Sequence, residues 1–192
     1  MDVPEEQNNG SEAVLAEVSE RFDVPDVPVP NEDEKWFIAH TRPRCEKKLQ
    51  SLCDERGFKC YLPLRRRVLT YGNRRRESFS PLFSGYIFCI APENRKTFFR
   101  QNQYVANVLD VFDQEGLDKL LRDVHKAVDM GEELEVLPFI KKGQPVRVLS
   151  GPFKGQTCEV IDAAGGTRIV INIELIQQSV TFEIDAAMLG PV

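Results

Sequence analysis

Histidine is scarce in this chain, with only His40 and His125, and there is one tryptophan. Two isolated imidazoles leave little material for proton transfer or for a histidine-bound metal. His125 lies in a helical pattern with charged neighbours and reads as a surface residue. No nucleophile, base and orienting group recur at a recognisable spacing, so a non-catalytic protein without cofactor is expected. Glycines 151 and 155 lack the lysine and hydroxyl sequence of a phosphate-binding loop. No apolar run approaches the ~20 residues that a membrane helix needs. The first ten residues are acidic and polar, without the basic then apolar order of an export signal. A soluble cytoplasmic protein is therefore expected. The five cysteines are odd in number, scattered and without a CxxC pair, which excludes a disulfide framework and favours reduced, buried thiols. Spacings of eight and seven separate Cys45, Cys53 and Cys60, and along a helix and a strand these do not read as paired zinc ligands, so no metal is expected.

What is abundant is charge, and it is unevenly placed. The formal net charge of -5 divides into -10 over residues 1–34, +11 over 35–100, -6 over 101–137 and zero over 138–192. One strongly basic region on a folded body suggests a polyanionic partner, while the acidic balance belongs mainly to the N-terminal segment. That segment, residues 1–34, combines carboxylates with Pro25, Pro28 and Pro30 and few aromatics, and is expected to be a disordered acidic tail.

Order is expected from Lys35, where Trp36, Phe37, Ile38 and Ala39 form a strand-like run. Cys45, Leu49, Leu52 and Cys53 then fall on one helical face, with Gly57 as its stop. Phe58 to Leu62 resumes as a strand. Two arginine triplets flank Tyr71, Gly72 and Asn73, a turn signal inside a basic hairpin or loop. Tyr86 to Ile90 reads as strand, Glu93 to Gln103 as helix and Tyr104 to Phe112 as strand. A second helical stripe runs through Leu117, Leu120, Leu121, Val124 and Val128. This order describes a small α+β sandwich with a mainly antiparallel sheet. After an exposed linker at 132–140 the pattern changes to period two, with Val146 and Val148, then Ile169, Ile171 and Ile173, then Val180, Phe182 and Ile184. So short a run of strands buries a core by closing into a small β-barrel.

Trp36 and Phe37, the helix with Glu46 and Leu49, Tyr61-Leu62-Pro63, and the run Pro81 to Phe88 together resemble the NGN domain of NusG-like proteins. Lys142 to Val148, Ser150 to Gly155, and Glu159-Val160 resemble the KOW motif of the same family, an SH3-like barrel. The resemblance implies an NGN domain at 35–131 and a KOW domain at 141–192. It also implies a transcription elongation or antitermination factor. Within this family the NGN domain docks an apolar surface on the clamp helices of the largest RNA polymerase subunit. On matching positions that surface would comprise Phe83, Tyr86 and Phe88, with His40 at its rim.

Specialised paralogues face the non-template DNA strand with the region held here by Arg42, Arg44, Lys47 and Lys48, which Arg74, Arg75 and Arg76 could extend. Arginine makes charge-assisted contacts to phosphate and stacks on unpaired bases. Related KOW domains recruit a small-subunit ribosomal protein or the termination factor Rho, and here Phe153, an exposed-looking aromatic, and Lys154 are the candidates. Ser84 stands where proline is usual and Cys158 where glycine is frequent; with the arginine-rich segment they point to a specialised antiterminator of the RfaH kind. A ribosome-associated or free RNA-binding KOW protein is the alternative.

Overall fold

Side chains alternate between the two faces of an extended strand, and the first domain is arranged to cover both faces of the run that begins at Lys35. In this computed structural model, which describes residues 26–71, 74–138, 143–163 and 166–192, that run is β1 (Lys35–Thr41). There follow α1 (Glu46–Glu55), β2 (Lys59–Tyr61), β3 (Leu64–Tyr71), β4 (Arg74–Pro81), β5 (Tyr86–Ala91), α2 (Lys96–Arg100), β6 (Val105–Asp110) and α3 (Gln114–Asp129). The main sheet has the order β2-β5-β1-β6, antiparallel throughout. The helix pattern over 44–56 and its stop at Gly57 (φ 67°) are as read from the sequence.

Register places Trp36 opposite Ile90, Ile38 opposite Phe88 and His40 opposite Tyr86, all on one face. Phe37 opposite Cys89 and Ala39 opposite Ile87 share the other. α1 and α2 cover this second face, where Leu49, Cys53 and Phe99 pack on Phe37, Ile87 and Cys89. α3 covers the first, burying Leu121 and Val124 completely. Removing each such side chain from water stabilises the fold by about 1.5–3 kcal/mol. Polar contacts fix the helix along the strand: Gln114 accepts from the Trp36 backbone amide (2.7 Å) and donates to the Trp36 carbonyl (2.9 Å), and Trp36 Nε1 donates to Asp118 (3.1 Å). The N-terminus of α3 is capped by Asp113, which accepts from the Gly116 amide.

The basic segment forms the hairpin β3–β4, a separate two-stranded sheet with Tyr71 opposite Arg74. Gly72 and Asn73 lie outside the described residues, as do the side chains of Arg67, Arg74, Arg75 and Arg76. Residues 1–25 of the expected acidic tail are likewise outside them. The end of that segment departs from expectation: Val27 is buried in the core, Glu34 pairs with Lys59 (2.6 Å), and Arg122 donates to the Val27 and Pro28 carbonyls (3.4 Å each). Burial of the apolar Val27 side chain offsets the cost of ordering a short stretch once α3 provides a surface for it.

The second domain comprises β7 (Glu135–Pro138), β8 (Gln144–Val148), β9 (Thr157–Ala163), β10 (Gly166–Ile173), β11 (Gln178–Glu183) and β12 (Leu189–Gly190). They form one antiparallel sheet of order β12-β8-β9-β10-β11-β7 around Val148, Phe153, Ile169, Ile171, Val180 and Phe182. Glu135–Pro138, expected as open linker, is instead the edge strand beside β11. Its backbone satisfies half of an otherwise exposed edge, and Arg168 of β10 ties it down through Glu135 (2.6 Å).

Candidate functional site

Where the pairing of β1 with β5 ends at His40 and Tyr86, aromatic and basic residues collect. His40 and Tyr86, half-buried and directly opposite in register, stack with ring centroids 4.9 Å apart and planes 18° off parallel. Gly85 lies beneath the His40 ring with φ of 86°, a conformation that suits glycine. Its amide donates to Glu46 (2.7 Å) and its carbonyl accepts from Thr41 (2.7 Å). The buried Glu46 carboxylate thus anchors the 81–86 loop to the start of α1.

The connection between β1 and α1 presents Arg42, Arg44, Lys47 and Lys48, all exposed. Arg44 has a left-handed backbone (φ 61°), which costs a non-glycine residue on the order of 1–2 kcal/mol. Such strain is held by a turn in which the Cys45 amide donates to the Arg42 carbonyl (3.1 Å). Lys47 donates to the Phe79 carbonyl of β4 (2.8 Å), so the basic loop is tied to the arginine hairpin. Among the described residues no ion pair neutralises Arg42, Arg44 or Lys48. The hairpin itself carries an Arg66–Glu77 pair.

Three expected surface aromatics lie elsewhere. Phe83 and Phe88 are fully buried, ring against ring at 5.5 Å and 80°, in the core that α3 seals. Phe88 shares a face with Tyr86, but it stands two residues further along β5, inside that core. Phe153 is likewise fully buried, stacked on Phe182 at 4.5 Å, because the Gly151–Gly155 turn folds its ring into the sheet. Lys154 beside it is exposed. Tyr86, His40 and the four basic residues of the loop are thus the expected site residues that the fold brings to one surface.

The tertiary fold brings together two of the three cysteines whose spacing was weighed, Cys53 and Cys60, and adds Cys89 in place of Cys45. Cys53 of α1, Cys60 of β2 and Cys89 of β5 converge so that all three Sγ atoms lie within 4.8 Å of one another. Cys60 and Cys89 are cross-strand partners with sulfurs 3.1 Å apart. Burial pushes the Cys60 and Cys89 thiols upward, whereas hydrogen bonds from them, Cys60 first, pull Cys53 down. No sequence-local signal marks this group, since Cys89 enters only through strand register. His125 also departs from a plain surface role: it is half-buried, with Nδ1 3.4 Å from the Tyr61 hydroxyl and Nε2 3.4 Å from Asp26.

The two domains pack together along the outer side of α3. Asp123 accepts from Gln156 (3.0 Å). A cleft of about 780 Å³ is lined by Phe112, Leu117 and Leu120 from the first domain and by Cys158, Ile171 and Leu175 from the second. Phe112 is 92% exposed, so this cleft is only partly closed.

A family model described as transcription termination factor nusG matches residues 34–117, the sheet, its hairpin and the first turn of α3. No curated protein matches the chain in sequence. Among solved structures, one titled "Domain interaction in Thermotoga maritima NusG" is similar at 20% identity and a TM-score of 0.46, covering 83% of this chain and 97% of that one. Another, of an MjSpt4:Spt5 complex, is similar at 15% identity and a TM-score of 0.23, covering 82% of this chain and 96% of the other.

Proposed function

From the premise that residues 34–117 are a NusG-family domain, we propose that this chain is a non-catalytic transcription elongation factor that rides on RNA polymerase. The observation that carries the reading is the pairing, at one end of the sheet, of the stacked His40 and Tyr86 rings with four exposed basic residues. The rings supply an aromatic anchor of large area and small entropy cost for the clamp helices of the polymerase. Arg42, Arg44, Lys47 and Lys48 then lie against the non-template strand, where phosphate contacts and base stacking hold unpaired DNA. Phe83 and Phe88 support this surface from below rather than touching the partner.

A factor that bridges the clamp binds the closed polymerase better than the open one and shifts its population towards the elongating form. Pausing or termination is suppressed in consequence. The C-terminal domain recruits a second partner, a small-subunit ribosomal protein or Rho, with Lys154 at the contact, and the covalent link raises its local concentration near polymerase. The arginine hairpin, Ser84 at the exposed loop and buried Cys158 favour a specialised antiterminator over a general factor.

The test is capture of purified polymerase with and without its clamp helices. Capture should be lost with the deletion; equal capture by both forms refutes the docking. Co-sedimentation with ribosomal particles in the absence of polymerase would instead establish an RNA-binding KOW protein.

A further inference from the structure

The three converging thiols lie outside the surface just described, and the transcription role does not use them. They come from three different elements, α1, β2 and β5, within the apolar cluster that holds Leu49, Phe58, Leu62 and Ile87, with the Asp54 carboxylate in electrostatic reach of Cys53 and Cys60. Three sulfurs bound to one ion at about 2.3 Å would stand about 3.8 Å apart in a tetrahedral site and about 4.0 Å apart in a planar one. The sulfurs here lie within 4.8 Å, the nearest pair at 3.1 Å, so shifts of about 1 Å bring all three into either geometry. We propose that Cys53, Cys60 and Cys89 form a binding site for one thiophilic divalent metal ion of the zinc or cadmium kind.

Donor chemistry selects the ion. Thiolate sulfur in an apolar cluster disfavours hard, strongly hydrated ions such as magnesium and calcium. A divalent ion leaves a single residual negative charge on three thiolates, where a monovalent ion leaves two, and uncompensated charge in an apolar interior is costly. Among the described residues no histidine or carboxylate joins the group as a fourth ligand. The half-buried Cys60 marks the side from which an ion enters and on which a water completes four-coordination. Binding exchanges three thiol protons for the ion, with protons released to solvent and no electron transferred.

The experiment uses the full chain, reduced and handled without oxygen. Zinc is titrated against a chelator, and cadmium is used to read sulfur-to-metal charge-transfer absorption. One ion per chain is expected, with three of the five cysteines protected from a thiol reagent. Cys60→Ala and Cys89→Ala should each lose the absorption and the stoichiometric binding, while Cys45→Ala and Cys158→Ser keep both. Circular dichroism checks that each variant is folded, and the edge position of Cys60 on β2 makes Cys60→Ala the variant that keeps the fold. Parent-like binding by folded Cys60→Ala, loss of binding in Cys45→Ala, or failure of the folded parent to bind zinc or cadmium overturns the site. So does paired loss of two thiols to a disulfide in air by a parent that binds no ion when reduced.

Discussion

Tyr86 and Phe88 sit two residues apart on the same face of one strand, yet the fold buries one fully and the other only in part. Phe88 is fully buried, opposite Ile38 and Tyr61 in register, with Phe83 edge-on at 5.5 Å. Truncation to alanine removes a ring from a sealed core, and such changes cost about 3–5 kcal/mol. That is a large share of the roughly 5–15 kcal/mol that holds an ordinary domain. Tyr86 is half-buried, stacked on His40 at 4.9 Å and packed against the edge of the core. An aromatic pair adds about 0.5–1.5 kcal/mol beyond area, and a half-buried ring loses less area than a fully buried one, so Tyr86→Ala should cost less stability than Phe88→Ala. At a polymerase interface, however, an aromatic anchor is worth about 2 kcal/mol or more, which weakens binding by about 30-fold. The assay is urea denaturation of each variant beside its affinity for polymerase. Phe88→Ala should lose denaturation midpoint heavily, and whatever fraction remains folded should bind nearly as the parent. Tyr86→Ala should show the reverse. A stable Phe88→Ala that no longer binds, or a Tyr86→Ala that binds as the parent does, would refute the assignment.

Charge neutralisation gives a second check: Arg42→Ala, Arg44→Ala and Lys48→Ala should each weaken single-stranded DNA binding across sequences. Each should also flatten the slope of log affinity against log salt by about 0.7 for every phosphate left without its cation, and an unchanged slope in the triple variant removes this loop from the DNA surface. Lys96 is buried between Asp110 (2.8 Å) and Glu93 (2.6 Å), and the Lys96 hydrogen bond holds the Asp110 carboxyl below the usual range. A lowered folded-state pKa stabilises above the unfolded value and is lost as pH falls through the folded one. Stability should therefore drop on acidification below the ordinary Asp value of 3.8, and Asp110→Asn, less stable at neutral pH, should show a smaller drop. Gln156→Glu sets a second carboxylate against Asp123 across the domain contact. X-ray scattering should then give a larger radius of gyration with both domains still folded, and an unchanged radius shows that the apolar contacts along α3 suffice without this bond.

Much of this protein is determined locally, and that much was legible in its sequence. Helical spacing over 45–53 and 117–128, the stop at Gly57, the basic hairpin around residues 72 and 73, and the period-two strands after 143 all depend on neighbours a few residues away. Motifs at Trp36, Glu46 and Pro81 to Phe88 carried the resemblance to the NusG family model for the same reason, and the basic loop could be named because charge close to a helix start is written in order. Only the tertiary structure decided which members of a face are covered. Alternation puts Tyr86 and Phe88 on one side of β5, but the packing on that side leaves one ring half-buried and the other fully in the core. Phe153 turned inward because a partner ring, Phe182, waits across the sheet. Val27 was ordered by a helix 95 residues away in sequence. Cys53, Cys60 and Cys89 meet because antiparallel register and helix docking superpose three positions whose separations along the chain carry no such signal. Spacing reports chemistry only when the ligands share one local element; here the sheet supplies the proximity.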